Sequence, residues 1–81
     1  MMATVRLLYF ASLRDAAGVA GETFETAATD LRALYNELRT RHGFSLPVER
    51  IRVAVDGAFS RLEDAVADGS EVAFIPPVSG G

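Results

Sequence analysis

Apolar positions recur along this chain with two periods, and the change from one to the other marks its elements. Val5 to Phe10 is apolar apart from Arg6 and rich in β-formers. Such a run predicts a strand buried on both faces, hence central in its sheet. Ser12 to Ala17 is Ala-rich and stops at Gly18, which predicts a short turn of helix. Gly21 to Thr26 alternates polar and apolar residues, as an edge or half-exposed strand does. Leu31, Leu34, Tyr35 and Leu38 then fall at i, i+3, i+4 and i+7, an apolar stripe on a helix over Thr29–His42. Thr29 is its expected N-cap, with Asp30 at the positive end of the dipole and Arg39, Arg41 and His42 at the negative end. Glu37 and Arg41 are spaced to pair. Gly43 is placed to end the helix in the left-handed conformation.

Phe44 to Glu49 reads as a connection punctuated by Pro47. Ile51 to Val55 predicts a strand, and Asp56-Gly57 directly after it a two-residue hairpin turn with both residues at positive φ. Ala58 to Ser60 is the return strand. Arg61 to Ala67 fits a helical turn or irregular structure equally. Asp68-Gly69 marks a second turn and Glu71 to Ile75 the last strand. This order predicts an α+β fold, a mixed sheet of about five strands with one main helix packed on one face. Residues 1–75 are expected to form one domain and residues 76–81 an extended tail.

Composition narrows the function more than the fold. The 81 residues include no cysteine, one histidine and eight basic residues, all arginine. That excludes a thiol nucleophile, a thiolate metal site and a Schiff-base lysine. One histidine cannot build a multi-histidine site, so no metal and no bound cofactor is expected. His42 reads as a helix-end cation, and Glu63-Asp64 as a solvated acidic pair. A net charge of −3 argues against a nucleic-acid partner. The apolar runs, about five residues long, fall far short of the roughly 20 that span a bilayer. The run after Arg6 is also too short for a secretory signal. A cytoplasmic protein without a membrane partner, and not an enzyme by itself, is the expectation.

The tail holds the remaining information. Pro76-Pro77 cannot continue a central strand and holds the chain extended. Six residues beyond Ile75 reach roughly 20 Å from the sheet at about 3.3 Å each. Gly80 and Gly81 have no Cβ, so this end can thread a narrow channel where backbone approaches closely.

Asp68-Gly69-Ser70-Glu71-Val72-Ala73-Phe74-Ile75-Pro76-Pro77-Val78-Ser79-Gly80-Gly81 resembles the C-terminal signature of the small subunits of molybdopterin synthase, D-G-D-E-V-A-F-F-P-P-V-[ST]-G-G. Leu8-Tyr9-Phe10-Ala11-Ser12-Leu13-Arg14-Asp15 is similar to the family's L-F-F-A-x-x-R-E, and Val53-Ala54-Val55-Asp56 to its A-V-N strand end. Asp15 for Glu, Asp56 for Asn, Ser70 for an acidic residue and Ile75 for Phe are the departures.

The resemblance implies a ubiquitin-like β-grasp roll acting as a sulfur carrier. Its functional group would be the carboxylate of Gly81, beside Gly80. That carboxylate is a poor electrophile at pH 7 and must be activated. A ubiquitin-activating-type adenylating enzyme would use ATP to form the acyl-adenylate, and a sulfur donor protein would convert it to a thiocarboxylate. The tail, Pro76, Pro77, Val78 and Ser79 included, would enter the large subunit of molybdopterin synthase, in a heterotetramer. Phe10, Phe59 and Ile75 match an apolar patch that the family presents to both partners, and Arg14 is a further candidate contact. For Phe10 core and interface stand about even; Phe59 favours interface. Carriers for thiamine, cysteine or tRNA thiolation, and protein modifiers that form isopeptide bonds, are the competing readings.

Overall fold

A computed structural model describes residues 2–77. Its elements are β1 (Ala3–Tyr9), α1 (Ala11–Ala17), β2 (Gly21–Thr26), α2 (Leu31–His42), a 3₁₀ turn (Val48–Arg50), β3 (Arg52–Val55), β4 (Ala58–Ser60) and β5 (Glu71–Ile75). The strands form one mixed sheet in the order β2-β1-β5-β3-β4. β1 and β5 run parallel, and every other pair is antiparallel. The result is the expected β-grasp roll, with β2 at one edge and the last strand in the middle.

The sheet has a covered face and an open one. Val5, Leu7 and Tyr9 of β1, Val53 of β3 and Val72 and Phe74 of β5 are buried, together with Leu31, Leu34, Tyr35 and Leu38 of α2. Tyr35 packs on Phe74 with ring centroids 5.3 Å apart, and Phe44 stacks on Tyr35 at 5.8 Å. The buried Tyr35 hydroxyl donates to the Leu46 carbonyl at 2.8 Å, and burial raises its pKa. β1 is central, as expected, but it is not buried on both faces. Arg6 is exposed and Leu8 half-buried, because α2 covers only the side to which Val5, Leu7 and Tyr9 point.

Local chemistry settles several boundaries differently from the sequence reading. The cap of α2 is Asp30, whose carboxylate accepts from the Ala33 N–H at 2.8 Å. Thr29 instead offers its carbonyl to the Val66 N–H. Glu37 does not pair with Arg41: its carboxylate accepts from the buried Thr26 hydroxyl at 2.6 Å, while the Arg41 guanidinium lies over the Phe24 ring. Residues 61–67 are irregular. They are tied to the start of α2 by the Leu31 N–H to Asp64 carbonyl and Arg32 N–H to Leu62 carbonyl bonds. Asp56 and Gly57 take φ of 51° and 87°, as the two-residue hairpin requires. Gly43 closes α2 at φ 73°.

One polar cluster sits at the pole where β1 and β5 end. The Tyr9 hydroxyl donates to Glu22 Oε2 at 2.6 Å, and His42 Nε2 lies 2.8 Å from the same oxygen. Burial, reinforced by Glu22, raises the Tyr9 hydroxyl pKa well above the usual tyrosine value. For Glu22, burial pushes the carboxyl upward. The hydrogen bonds from Tyr9 and His42, with the charges of His42 and Arg41, outweigh that and hold it below the usual glutamate value.

A carboxylate depressed in the fold adds stability above its unfolded pKa, about 4.3, and loses it as pH falls through the lower folded value. Denaturant titrations between pH 7 and pH 3 are therefore expected to show a stability loss below that point that is smaller in Glu22→Gln. Tyr9→Phe should lower the unfolding free energy at neutral pH by about 1.5–3 kcal/mol, the range for a hydrogen bond to a charged group. In the same assay Phe74→Ala should cost about 3–5 kcal/mol. Phe59→Ala, on the open face, should change stability by no more than about 0.5 kcal/mol.

Candidate partner interface at the root of the tail

Strand register, more than sequence proximity, assembles the open face. Leu8 lies opposite Ala73, Ala73 opposite Ala54, and Ala54 opposite Phe59. These four make one row across four strands, all pointing away from α2. Ile75, two residues beyond Ala73, shares that face and lies opposite Arg52. Arg6 lies opposite Glu71 on the other side of the row. An apolar strip flanked by arginines results. Arg6, Arg14 and Arg52 take part in no ion pair among the described residues.

Phe59 is 71% exposed, far too much for a core phenylalanine. Only a three-residue edge strand carries it, and no layer covers it. Phe10 is 45% exposed, which resolves the choice between core and surface. It has left β1 and serves as the N-cap position of α1 in extended conformation. The alternation that turns Tyr9 inward turns Phe10 outward. Ala11 follows at φ 49°, uncommon for a residue with a Cβ. This sharp corner swings α1 away from the strand, and Leu13 anchors the helix in the core.

The corner leaves a groove of about 540 Å³ between α1 and the end of β5, lined by Phe10, Ala11, Ser12, Asp15, Ile75 and the two prolines. Phe10 and Ile75 thus meet at the point where the chain leaves the sheet. Phe59 lies on the same face, two strands from Ile75. Pro76 is half-buried and Pro77 exposed. Arg14 is exposed on α1 and does not line the groove. Val78, Ser79, Gly80 and Gly81 lie outside the described residues.

Leu8, Ala54, Ala73 and Arg52 were not expected at this surface. Arg6 and Leu8 share one parity, so the strand pattern placed Leu8 beside an exposed arginine; the long apolar run obscured it. Ala54 and Ala73 give no such signal, since alanine suits either face. No group of three or more His, Cys, Asp or Glu side chains that could hold a metal ion occurs among the described residues. No described helix is long and apolar enough to cross a membrane.

The profile of the ThiS family matches residues 7–81. The molybdopterin synthase sulfur carrier subunit of Chlamydomonas reinhardtii is 37% identical over 81 residues, covering 95% of this chain and 98% of that protein. SAMP1 from Haloferax volcanii superposes with a TM-score of 0.78 at 26% identity, over 98% of this chain and 100% of that one. A chain from the complex of subunits 1 and 2 of the molybdopterin-converting factor of Helicobacter pylori 26695 is 26% identical with a TM-score of 0.62. It is covered completely in both directions. An open sheet face, a chain end leaving the central strand and these full-length matches converge: the chain belongs to the ThiS family of ubiquitin-like sulfur carriers, proteins that serve an enzyme without being the catalyst.

Proposed function

We propose that this carrier is the sulfur-donating small subunit of a molybdopterin synthase, with Gly81 as the atom-carrying residue. The observation that supports it most is the continuity of β5 with Pro76-Pro77-Val78-Ser79-Gly80-Gly81. A strand paired on both sides is followed in sequence by two prolines and, at positions 80 and 81, two glycines. The Chlamydomonas reinhardtii relative, matched over 95% of this chain, is a molybdopterin synthase sulfur carrier subunit.

In this reading an adenylating enzyme joins the Gly81 carboxylate to AMP, with pyrophosphate leaving. Sulfide-level sulfur delivered by a donor protein then forms the C–S bond as the C–O bond to AMP breaks, leaving a thiocarboxylate. ATP is the activating enzyme's substrate and is not held by the carrier. The tail next enters the large subunit, its sulfur bonds to cyclic pyranopterin monophosphate, and water cleaves the acyl–sulfur bond to return Gly81 as carboxylate. Two sulfurs build the dithiolene, so two carrier turnovers are needed. The Helicobacter pylori complex of subunits 1 and 2 supports a large-subunit partner, and the family resemblance implies a heterotetramer of two small and two large subunits. Phe10, Phe59, Ile75 and Arg14 dock the carrier on its partners, while Pro76 to Ser79 occupy the partner's channel. The reaction belongs in the cytoplasm with its activating enzyme.

The similarity to SAMP1, a small archaeal modifier protein, favours one second reading, in which Gly81 ends in an isopeptide bond to a lysine of another protein. Intact-mass spectrometry separates the two. After incubation with the cognate activating enzyme, ATP and a sulfide source, the carrier should gain the mass difference of one oxygen replaced by sulfur. The Gly81-deleted chain should gain nothing. Conversion of the deleted chain would remove Gly81 from the reaction. Adducts to lysine-bearing proteins in place of the thiocarboxylate would establish the modifier reading.

A further inference from the structure

The groove between α1 and β5 has two polar residues in its lining that the docking of an apolar patch does not use. Phe10, Ala11, Ile75, Pro76 and Pro77 supply ring and aliphatic carbon, and Ser12 and Asp15 complete the lining. Both residues are exposed. Among the described residues Asp15 makes no ion pair, and neither side chain makes a hydrogen bond. Arg14, its neighbour in sequence, does not pair with it.

The shape and charge of this groove select among occupants. Its own chain end is anionic whether carboxylate or thiocarboxylate, and Asp15 repels it. A second copy of this chain carries a net charge of −3 and is disfavoured for the same reason. A long side chain with an apolar stem and a cationic, planar head suits this mixed lining. Its stem would lie along the proline and isoleucine carbons, its head would stack on the Phe10 ring, and two N–H groups would donate to the Asp15 carboxylate. Arginine meets those terms better than lysine, whose compact ammonium neither stacks as well nor bonds in a bidentate fork. Proline fixes the backbone of part of this lining, so little ordering is required on binding.

We propose that this groove receives an arginine side chain of the large subunit, and that Asp15 positions the root of the tail by binding it. This rests on the sulfur-carrier reading above. The groove borders the first residues of the tail, so a side chain seated there fixes the angle at which Pro76 and Pro77 leave the sheet. Asp15 touches no reacting atom; it acts as a positioning residue.

Titration calorimetry of the full-length carrier with its cognate large subunit tests this at about 50 mM and about 300 mM salt, conditions that span strong and weak screening. Asp15→Asn is expected to weaken binding about tenfold at low salt, with a smaller gap at high salt, as for a close charge pair at an interface. Asp15→Glu should bind within about twofold of wild type, because the carboxylate is retained. Equal affinities of wild type and Asp15→Asn at low salt would overturn the proposal while leaving the carrier reading intact. Failure of wild type to bind would overturn the carrier reading and this inference with it.

The absence of native cysteine permits a second, site-directed measurement. Asp15→Cys, labelled with a benzophenone photocrosslinker in the complex, should capture a large-subunit peptide that contains an arginine. Changing that arginine to aspartate should restore binding to Asp15→Arg. Capture of a peptide without arginine, or of another copy of the carrier, would overturn the assignment.

Discussion

The parallel pairing of β1 with β5 is the constraint on which the rest of the structure depends. Four register pairs, Arg6 with Glu71 through Tyr9 with Phe74, lock the last strand beside the first. β3 holds its other edge through a further four, from Arg52 with Ile75 to Val55 with Val72. The residues that follow Ile75 in the chain therefore leave a strand that is paired on both edges. Phe74, fully buried against Tyr35, secures the inner side of that anchor. Ile75 and Ala73 present its outer side.

The same pairing gathers distant chemistry at one pole. Because β1 and β5 are parallel, Phe10 and Pro76 emerge together, and α1 turns beside them. α2 ends at this pole too, where His42 approaches Glu22 and Tyr9. That cluster is structural: it ties β1, β2 and α2 beneath the corner that carries the groove. The lone histidine, which composition alone left as a helix-end cation, is thus a hydrogen-bond partner of Glu22 beside the end of β1.

Local signals in the sequence were legible where one interaction decides the structure. The stripe Leu31, Leu34, Tyr35, Leu38 became the buried side of α2, and Asp56-Gly57 became the positive-φ hairpin. Adjacent residues of equal competence were not separable. Thr29 and Asp30 can both cap a helix, and the choice fell to Asp30 because the Thr29 carbonyl is engaged by Val66. The apolar run of β1 does not reveal its open face, since an exposed apolar surface uses the same residue types as a core. Leu8 is such a residue. The Tyr9–Glu22–His42 contact joins three elements far apart in the chain and carries no periodic signature. The tail was legible as a motif, whereas the groove at its root required the register of β5 and the turn at Ala11.

Missing thiols, missing lysine and a single histidine describe a protein whose side chains are not the reagent. With the reactive atom proposed at Gly81, the fold's task is to present that residue. The most direct test is biological restoration. Expressed in a strain lacking the molybdopterin synthase small subunit, together with its cognate large subunit and activating enzyme, this chain should restore molybdopterin, measured as its fluorescent oxidation product. Normal accumulation of a folded chain, charged with sulfur yet yielding no molybdopterin above the empty-vector strain, would contradict the account.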